Sequence, residues 1–523
     1  MKKRILFFCS LLLLVQVSFG QSAKLEGNIP KELSILYTND LHANFEPILV
    51  GWVSPTRNVG GFAKIAARVK QEKKANPNTL YLDAGDFFTG PDICSLTKGE
   101  AVIDAMNHMS LDATCIGNHE FDYGWRNLVS QFEKATFPIL NGNLFIQNTG
   151  KLIWNHPFKI LQKSGLKIGI IGLHGKFAFY DTVSDTMRQG IEARDEELYL
   201  QQYVDLLRPQ VDLVVLLVHQ GIPGRQSSKG SVDIQRNLQK DIDLASRIKG
   251  VDIMITGHAH QGTPQPLTSK GTLIVSTDAL GIEIGKLVVL YDLQNKKMIG
   301  YQNTLNFLYA DETPDDPATR QCIDKWKERV DKVSGQKIGC ISEPLTRSYG
   351  EESTLGNMVA DGMLHAFPDY ELALVNSGGL REDILGPNVT TGDLISAFPF
   401  PNTVVKLELK GVFLREIFEH AADQTNGVLQ VSAGLVLQYN DSLPLGNRVV
   451  SCTLNGKALE DERIYKVLAN NFLVKGGDGF LSFSKASANI ETHLGVVQTM
   501  ISYLKTFPVY PPKLEGRVVK LNK

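Results

Sequence analysis

From Leu33 to about Asp292 the chain repeats one pattern, a short apolar run followed by a polar turn and an amphipathic stretch. The runs read LSILYT, TLYLDA, DATCI, LKIGIIGL, VDLVVLLV, VDIMIT and TLIVST. They are rich in Val, Ile and Leu and do not alternate strictly with polar residues. That pattern predicts strands covered on both faces rather than strands with one wet face. Between them the apolar period lengthens. Phe62, Ile65, Ala66 and Val69 fall at i, i+3, i+4 and i+7 behind Gly60 and Gly61, one face of a helix. Strands and helices in this order predict a layered α/β domain. The acidic, Pro-containing stretch DETPDDP at 311–317 marks a border. A charged connecting helix is predicted over 318–333, and a second α/β unit over 336–523. In that unit a helix near 352–366 places Leu355, Met358, Val359, Met363 and Ala366 on one face.

The first twenty residues depart from this pattern. Lys2, Lys3 and Arg4 precede an apolar run from Ile5 to Val15, and Ser18-Phe19-Gly20 offers a small-x-small cleavage site. This is the pattern of a signal peptide, 1–20, too short for a comfortable membrane span. The expected address is therefore exported, periplasmic or secreted, with no stable membrane anchor. Composition adds exclusions. With 54 basic and 56 acidic residues no cationic excess exists to hold nucleic-acid phosphates. Six Cys in 523 residues are too few for a disulfide scaffold, and their spacing suggests no metal ribbon.

The eleven His are more informative, because five of them stand directly after predicted strands. LSILYT runs into Asn39-Asp40-Leu41-His42, and TLYLDA into Gly85-Asp86. DATCI runs into Gly117-Asn118-His119-Glu120-Phe121-Asp122, VDLVVLLV into His219, and VDIMIT into Gly257-His258-Ala259-His260. Open α/β sheets gather ligands at the carboxyl ends of their strands. A two-metal phosphoryl-transfer site needs hard and borderline donors with one shared carboxylate. Two carboxylates, one amide and four neutral imidazoles around two divalent ions leave a formal +2, which suits a phosphate dianion and lowers the pKa of a trapped water. His174 also ends a predicted strand, but no motif surrounds it. It is read as a loop or supporting residue, and His108, His156, His365, His420 and His493 as structural or surface residues.

Three segments of the second unit carry chemistry. Asn376-Ser377-Gly378-Gly379-Leu380-Arg381 combines close backbone approach with a planar cation. Pro399-Phe400-Pro401-Asn402 holds an aromatic between prolines, and Asn471-Phe472 leads into Gly476-Gly477-Asp478-Gly479. Read alone, the two Phe fit core packing as well as base stacking, and the Gly-rich segment fits an ordinary turn.

Together the strand-end motifs resemble those of the calcineurin-like metallophosphoesterases. The GNHEFD form is similar to the 5'-nucleotidase branch, which includes periplasmic UDP-sugar hydrolases and ecto-5'-nucleotidases. The resemblance implies a four-layer αββα metallophosphoesterase domain over 21–312, a linker or hinge helix over 313–335 and a C-terminal α/β 5'-nucleotidase substrate-binding domain over 336–523. It implies two divalent ions, Zn, Mn or similar, one held by Asp40, His42, Asp86 and His260. Asp86, Asn118, His219 and His258 would hold the second, with Asp86 bridging. His119 would act on the transition state or the leaving group, oriented by Asp122. Asn376, Gly378, Gly379 and Arg381 would surround a nucleotide, Phe400 and Phe472 would stack its base, and Asp478 would hold its ribose. One departure is visible. Where the family often carries an Arg before the Thr354-Leu355-Gly356-Asn357 helix, this chain has Tyr349, and Arg347 two residues earlier is the expected substitute. The implied activity is release of phosphate from nucleoside 5'-monophosphates by metal-bound hydroxide, with a domain rotation closing the pocket. The alternatives are a 2',3'-cyclic nucleotide phosphodiesterase and a UDP-sugar or nucleoside diphosphate hydrolase. A non-catalytic nucleotide-binding protein would have lost a ligand or His119, and none is lost.

Overall fold

In the computed structural model the described residues are 30–223, 234–424 and 427–522; the signal-peptide pattern at 1–20 lies outside them. Two six-stranded sheets build the N-terminal domain. The first runs in the order Lys297–Phe307, Glu283–Asp292, Lys31–Thr38, Thr79–Asp83, Ala113–Cys115 and Ile139–Leu140. The second runs Leu267–Ser269, Thr272–Val275, Ile253–His258, Leu213–Gln220, Leu166–His174 and Phe158–Lys163. Their central strands are parallel; the edge strands pair antiparallel except Ile139–Leu140, which is parallel to Ala113–Cys115.

The unbroken apolar runs follow from this layering. Leu33, Ile35 and Tyr37 of the first sheet share one buried cluster with Leu213, Val215 and Leu217 of the second, so the sheets face each other. The opposite faces are dry as well. Leu36, Tyr81 and Ile116 pack beneath Phe62, Ile65 and Val69 of the helix Phe62–Ala75. Val214, Leu216 and Val218 pack beneath Leu200, Val204 and Leu244. The order is helix, sheet, sheet, helix, and each central strand is apolar on both sides.

The C-terminal half has a five-stranded sheet, Leu429–Val431, Leu372–Asn376, Ile464–Asn470, Thr403–Lys410 and Ala488–Gly495, and a smaller four-stranded one. Leu372 and Leu374 face one core, and Ala373 and Val375 the other. The helix Thr354–Ala366 closes the second core through Leu355, Met358, Val359 and Met363, with Ser353 accepting from the Gly356 amide at its start.

The helix Pro317–Ser334 starts at Asp316, whose side chain accepts from the Thr319 amide. Its Cys322, Ile323, Trp326 and Val330 belong to the same buried cluster as Phe62 and Ile103, so it is docked on the N-terminal domain. It also touches the helix Thr391–Ala397 of the other half. The halves meet again where the Asp92 amide donates to Ser396 Oγ at 2.8 Å and Ser95 Oγ donates to the Pro399 carbonyl at 3.2 Å.

Candidate metal centre and substrate cleft

The strand-end segments converge. Asp40 and His42 follow the strand Lys31–Thr38, Asp86 follows Thr79–Asp83, and Asn118 follows Ala113–Cys115. His219 and His258 end strands of the facing sheet, and His260 lies just beyond. His219 Nε2 lies 3.1 Å from Asp86 Oδ2 and 3.1 Å from Asn118 Oδ1. Its Nδ1 is 2.8 Å from the Ala84 carbonyl, which can only accept, so Nδ1 carries a proton and Nε2 is the nitrogen turned to Asp86 and Asn118. On the other side His42 Nε2 and His260 Nε2 stand 2.9 Å apart, and His260 Nε2 is 3.6 Å from Asp40 Oδ1. Among the described residues three groupings here are within metal-ligand reach, Asp40 with His42 and His260, His42 with Asp86 and His119, and Asp86 with His219 and His258.

The local backbone shows how firmly these side chains are held. Asp40, His42, Asp86, His258 and His260 have φ of 53°, 46°, 58°, 80° and 52°. Non-glycine residues rarely occupy this region, at a cost on the order of 1–3 kcal/mol each, and it persists only where the surroundings impose it. Here Glu120 is part of the imposition. Its buried carboxylate accepts from the amides of Asp86, Phe87, Phe88 and Gly117. Gly117 has no room for a side chain, since a Cβ there would sit 2.2 Å from Asp86 Oδ1.

The donor set fits divalent ions. His258 Nε2 is buried and, among the described residues, has no hydrogen-bond partner. Burial holds the His258 imidazole well below its ordinary range, and burial, then Arg381, does the same to His42. Burial also pushes His260 down to about 3. Neutral imidazole is the form that ligates a metal. Two groups go the other way. Burial raises the Asp40 carboxyl, and although burial opposes it, the charge of Asp86 raises His219. If these residues hold the ions, binding would displace protons. Calorimetry of divalent-ion loading near pH 7, in buffers of different ionisation enthalpy, is expected to show net proton release and an affinity that rises with pH. Zero release contradicts the ligand assignment.

His119 belongs to the middle grouping, with His42 and Asp86, and faces the C-terminal half across the cleft. Its amide donates to Asp86 Oδ1 at 2.8 Å and its Nδ1 is 2.8 Å from Asp122 Oδ2. Thr89 Oγ1 also donates to that carboxylate oxygen. Burial works against protonation, but Asp122 and then Asp86 leave the His119 pKa raised. Its ring centroid lies 5.9 Å from that of Phe400.

A cleft lined by residues of both halves lies between them. Asp86, Asn118, His119, His258 and His260 line one side, and Asn376, Gly378, Arg381, Phe400, Phe472 and Asp478 the other. Asn470 Nδ2 donates to Asn376 Oδ1 at 2.8 Å, and Asn376 Nδ2 reaches Asp478 Oδ2 at 3.4 Å. Asp478 has φ of 52°, and a Cβ on its neighbour Gly477 would meet the Phe472 ring at 2.5 Å, so this glycine lets the ring lie where it does. Arg381 Nη2 is 3.5 Å from His42 Nε2 and crosses from one half to the other.

Two expected substrate residues fall elsewhere. Gly379 lies under the Phe398 ring, and Arg347 lines a second cavity with Arg381, His260 and Trp52, its Nε 3.5 Å from Asp383 Oδ1. Tyr349 faces both cavities. His174 is the last residue of a strand, in register with His219, buried, and its Nε2 has no hydrogen-bond partner among the described residues. The sequence assigns Glu120 no role, although it lies inside the GNHEFD run, and singles out Tyr349 only as standing where the family often carries an Arg.

Comparison with known proteins decides the family. Residues 33–262 match the model of calcineurin-like phosphoesterases, and residues 336–485 match that of the 5'-nucleotidase C-terminal domain. A snake venom 5'-nucleotidase of Naja atra is 30% identical over 544 residues, covering 93% of this chain and 98% of that protein. The chain belongs to the 5'-nucleotidase family. A 5'-nucleotidase of Bos taurus is 29% identical over 545 residues, covering 94% of this chain and 91% of its own. The crystal structure of a 5'-nucleotidase precursor from Thermus thermophilus superimposes with a TM-score of 0.83 at 27% identity, covering 94% of this chain and 100% of that one. The fold pairs a metallophosphoesterase domain with a 5'-nucleotidase C-terminal domain, and the chain is a phosphoric monoester hydrolase that depends on divalent metal. Among the described residues no helix is long and apolar enough to cross a membrane.

Proposed function

We propose that this family member acts outside the cytoplasm and releases phosphate from nucleoside 5'-monophosphates. The carrying observation is the single cleft that presents the metal-ligand cluster on one wall and Phe400, Phe472 and Asp478 on the other. Asp40, His42, Asp86 and His260 would hold one divalent ion, and Asp86, Asn118, His219 and His258 the other. When bound, the ions supply Lewis acidity and an activated water for attack at phosphorus. The chain's own residues do the rest. His119, held through Nδ1 by Asp122, turns Nε2 toward the phosphoryl oxygens and the leaving alcohol, where its raised pKa suits a proton donor. Arg381 sets a fixed cation beside the phosphate. Phe400 and Phe472 take the base between them, and Asp478, kept in place by Asn376, accepts from the ribose hydroxyls.

Base stacking is worth roughly 1–3 kcal/mol per base. The pair Phe400→Ala and Phe472→Ala is therefore expected to lower kcat/KM for a nucleoside monophosphate by about 5- to 150-fold each. Hydrolysis of a small aryl phosphate, which has no base to stack, should change little. Equal losses on both substrates contradict the base sandwich.

The second cavity supports another reading, hydrolysis of nucleoside diphosphates or nucleotide sugars. It opens beside His260 and shares Arg381 and Tyr349 with the main cleft, giving room and positive charge for a group carried beyond the reacting phosphate. A panel of 5'-, 3'- and cyclic monophosphates, diphosphates and nucleotide sugars separates the two. The first reading expects the highest kcat/KM on 5'-monophosphates.

A further inference from the structure

Away from the cleft, two helices bring together a set of donors that the proposed reaction does not use. Asp104 lies on the helix Glu100–Met106, and His108 follows four residues later. The turn stays helical through Asn107, and the His108 amide donates to the Ala105 carbonyl at 3.0 Å, so both side chains share one face. Facing them is Cys322 on the helix Pro317–Ser334, buried at 8% exposure. One ligand atom from each of the three lies within 4.8 Å of the others.

We propose that Asp104, His108 and Cys322 form a third divalent-cation site, of the zinc class, which fastens the helix Pro317–Ser334 to the N-terminal domain. The donor set of one carboxylate, one imidazole and one thiolate suits zinc or cobalt(II) and excludes magnesium or calcium, which want oxygen. Tetrahedral ligands at zinc distances stand about 3.3–3.8 Å apart, so small side-chain rotations close the present spacing around an ion. Two further features point the same way. Trp326, one turn after Cys322, donates from Nε1 to Asp104 Oδ2 at 2.8 Å. Such an outer partner orients a ligating carboxylate and leaves its other oxygen for the ion. The helix that carries Cys322 also touches Thr391–Ala397, so an ion here would pin an element that packs on both halves.

Without an ion the thiol keeps its proton, since burial and then the Asp104 charge push Cys322 up to about 12. Binding exchanges that proton for the metal. The S–H bond breaks, an S–metal bond forms with the same electron pair, and one proton leaves to solvent for each ion bound.

Cobalt(II) titration of the metal-stripped full chain tests this. A thiolate ligand gives a near-ultraviolet thiolate-to-cobalt charge-transfer band, which the oxygen and nitrogen donors of the cleft cannot give. The expected result is that band in the parent chain, three ions bound per chain, and two with no band in Cys322→Ser. His108→Ala, at the end of its helix, should weaken the band as well without disturbing the buried core, and both variants should keep phosphate release. No band in the parent chain, or a band that survives Cys322→Ser, overturns the proposal. It would leave the three residues as a plain S–H to carboxylate hydrogen bond.

Discussion

Replacing Asp86 with Asn is expected to abolish metal-dependent phosphate release, by about 10³-fold or more, and to lower the number of ions bound per chain. Asp86 is the carboxylate common to both proposed ligand sets. Its Oδ2 lies 3.1 Å from His219 Nε2, and its Oδ1 accepts the His119 amide at 2.8 Å. An amide of the same shape keeps the fold but removes the negative charge that lets two cations sit side by side. Several kcal/mol of Lewis-acid stabilisation depend on that arrangement, and each 1.36 kcal/mol is tenfold in rate. Elemental analysis beside the rate assay separates this from unfolding. A variant that binds two ions in the cleft and turns over normally would remove Asp86 from its role.

His119→Ala should behave differently. It is expected to lower kcat by roughly 10²–10⁴-fold, the usual contribution of a positioned proton donor, while two ions remain bound in the cleft. His119 touches Asp86 only through its backbone, and its ring is held by Asp122 at 2.8 Å and faces Phe400. An Asn at 122 should cost less, because the imidazole stays but loses the carboxylate that aims it and raises its pKa. Loss of ions in His119→Ala would make His119 a ligand. Unchanged kcat would make it a bystander.

Most of the fold was legible in the sequence, for a physical reason. Strands buried on both faces leave unbroken apolar runs, and a strand that ends at a site places its ligand within two or three residues of the last apolar position. That is why Asp40, Asp86, Asn118, His219 and His258 were readable one motif at a time. What the pattern cannot carry is backbone conformation and long-range approach. Nothing in the sequence shows that five of the proposed ligand residues occupy the left-handed region, or that the Glu120 carboxylate holds four amides. Arg347 and Tyr349 are two residues apart, yet only the fold decides that Tyr349 faces the main cleft and Arg347 the neighbouring cavity. Cys322 and His108 carry no spacing signal, because two helices far apart in sequence bring them together.

In the proposed function one chain joins a dimetal centre to a nucleoside pocket. Phosphate release from a nucleoside 5'-monophosphate by metal-stripped protein, before and after adding back Zn, Mn, Co or Mg, tests it most directly. Near-background release is expected from the stripped chain, restored by a divalent ion as occupancy approaches two in the cleft. Full release without divalent metal, or none from any nucleoside 5'-monophosphate when both sites are filled, would contradict it.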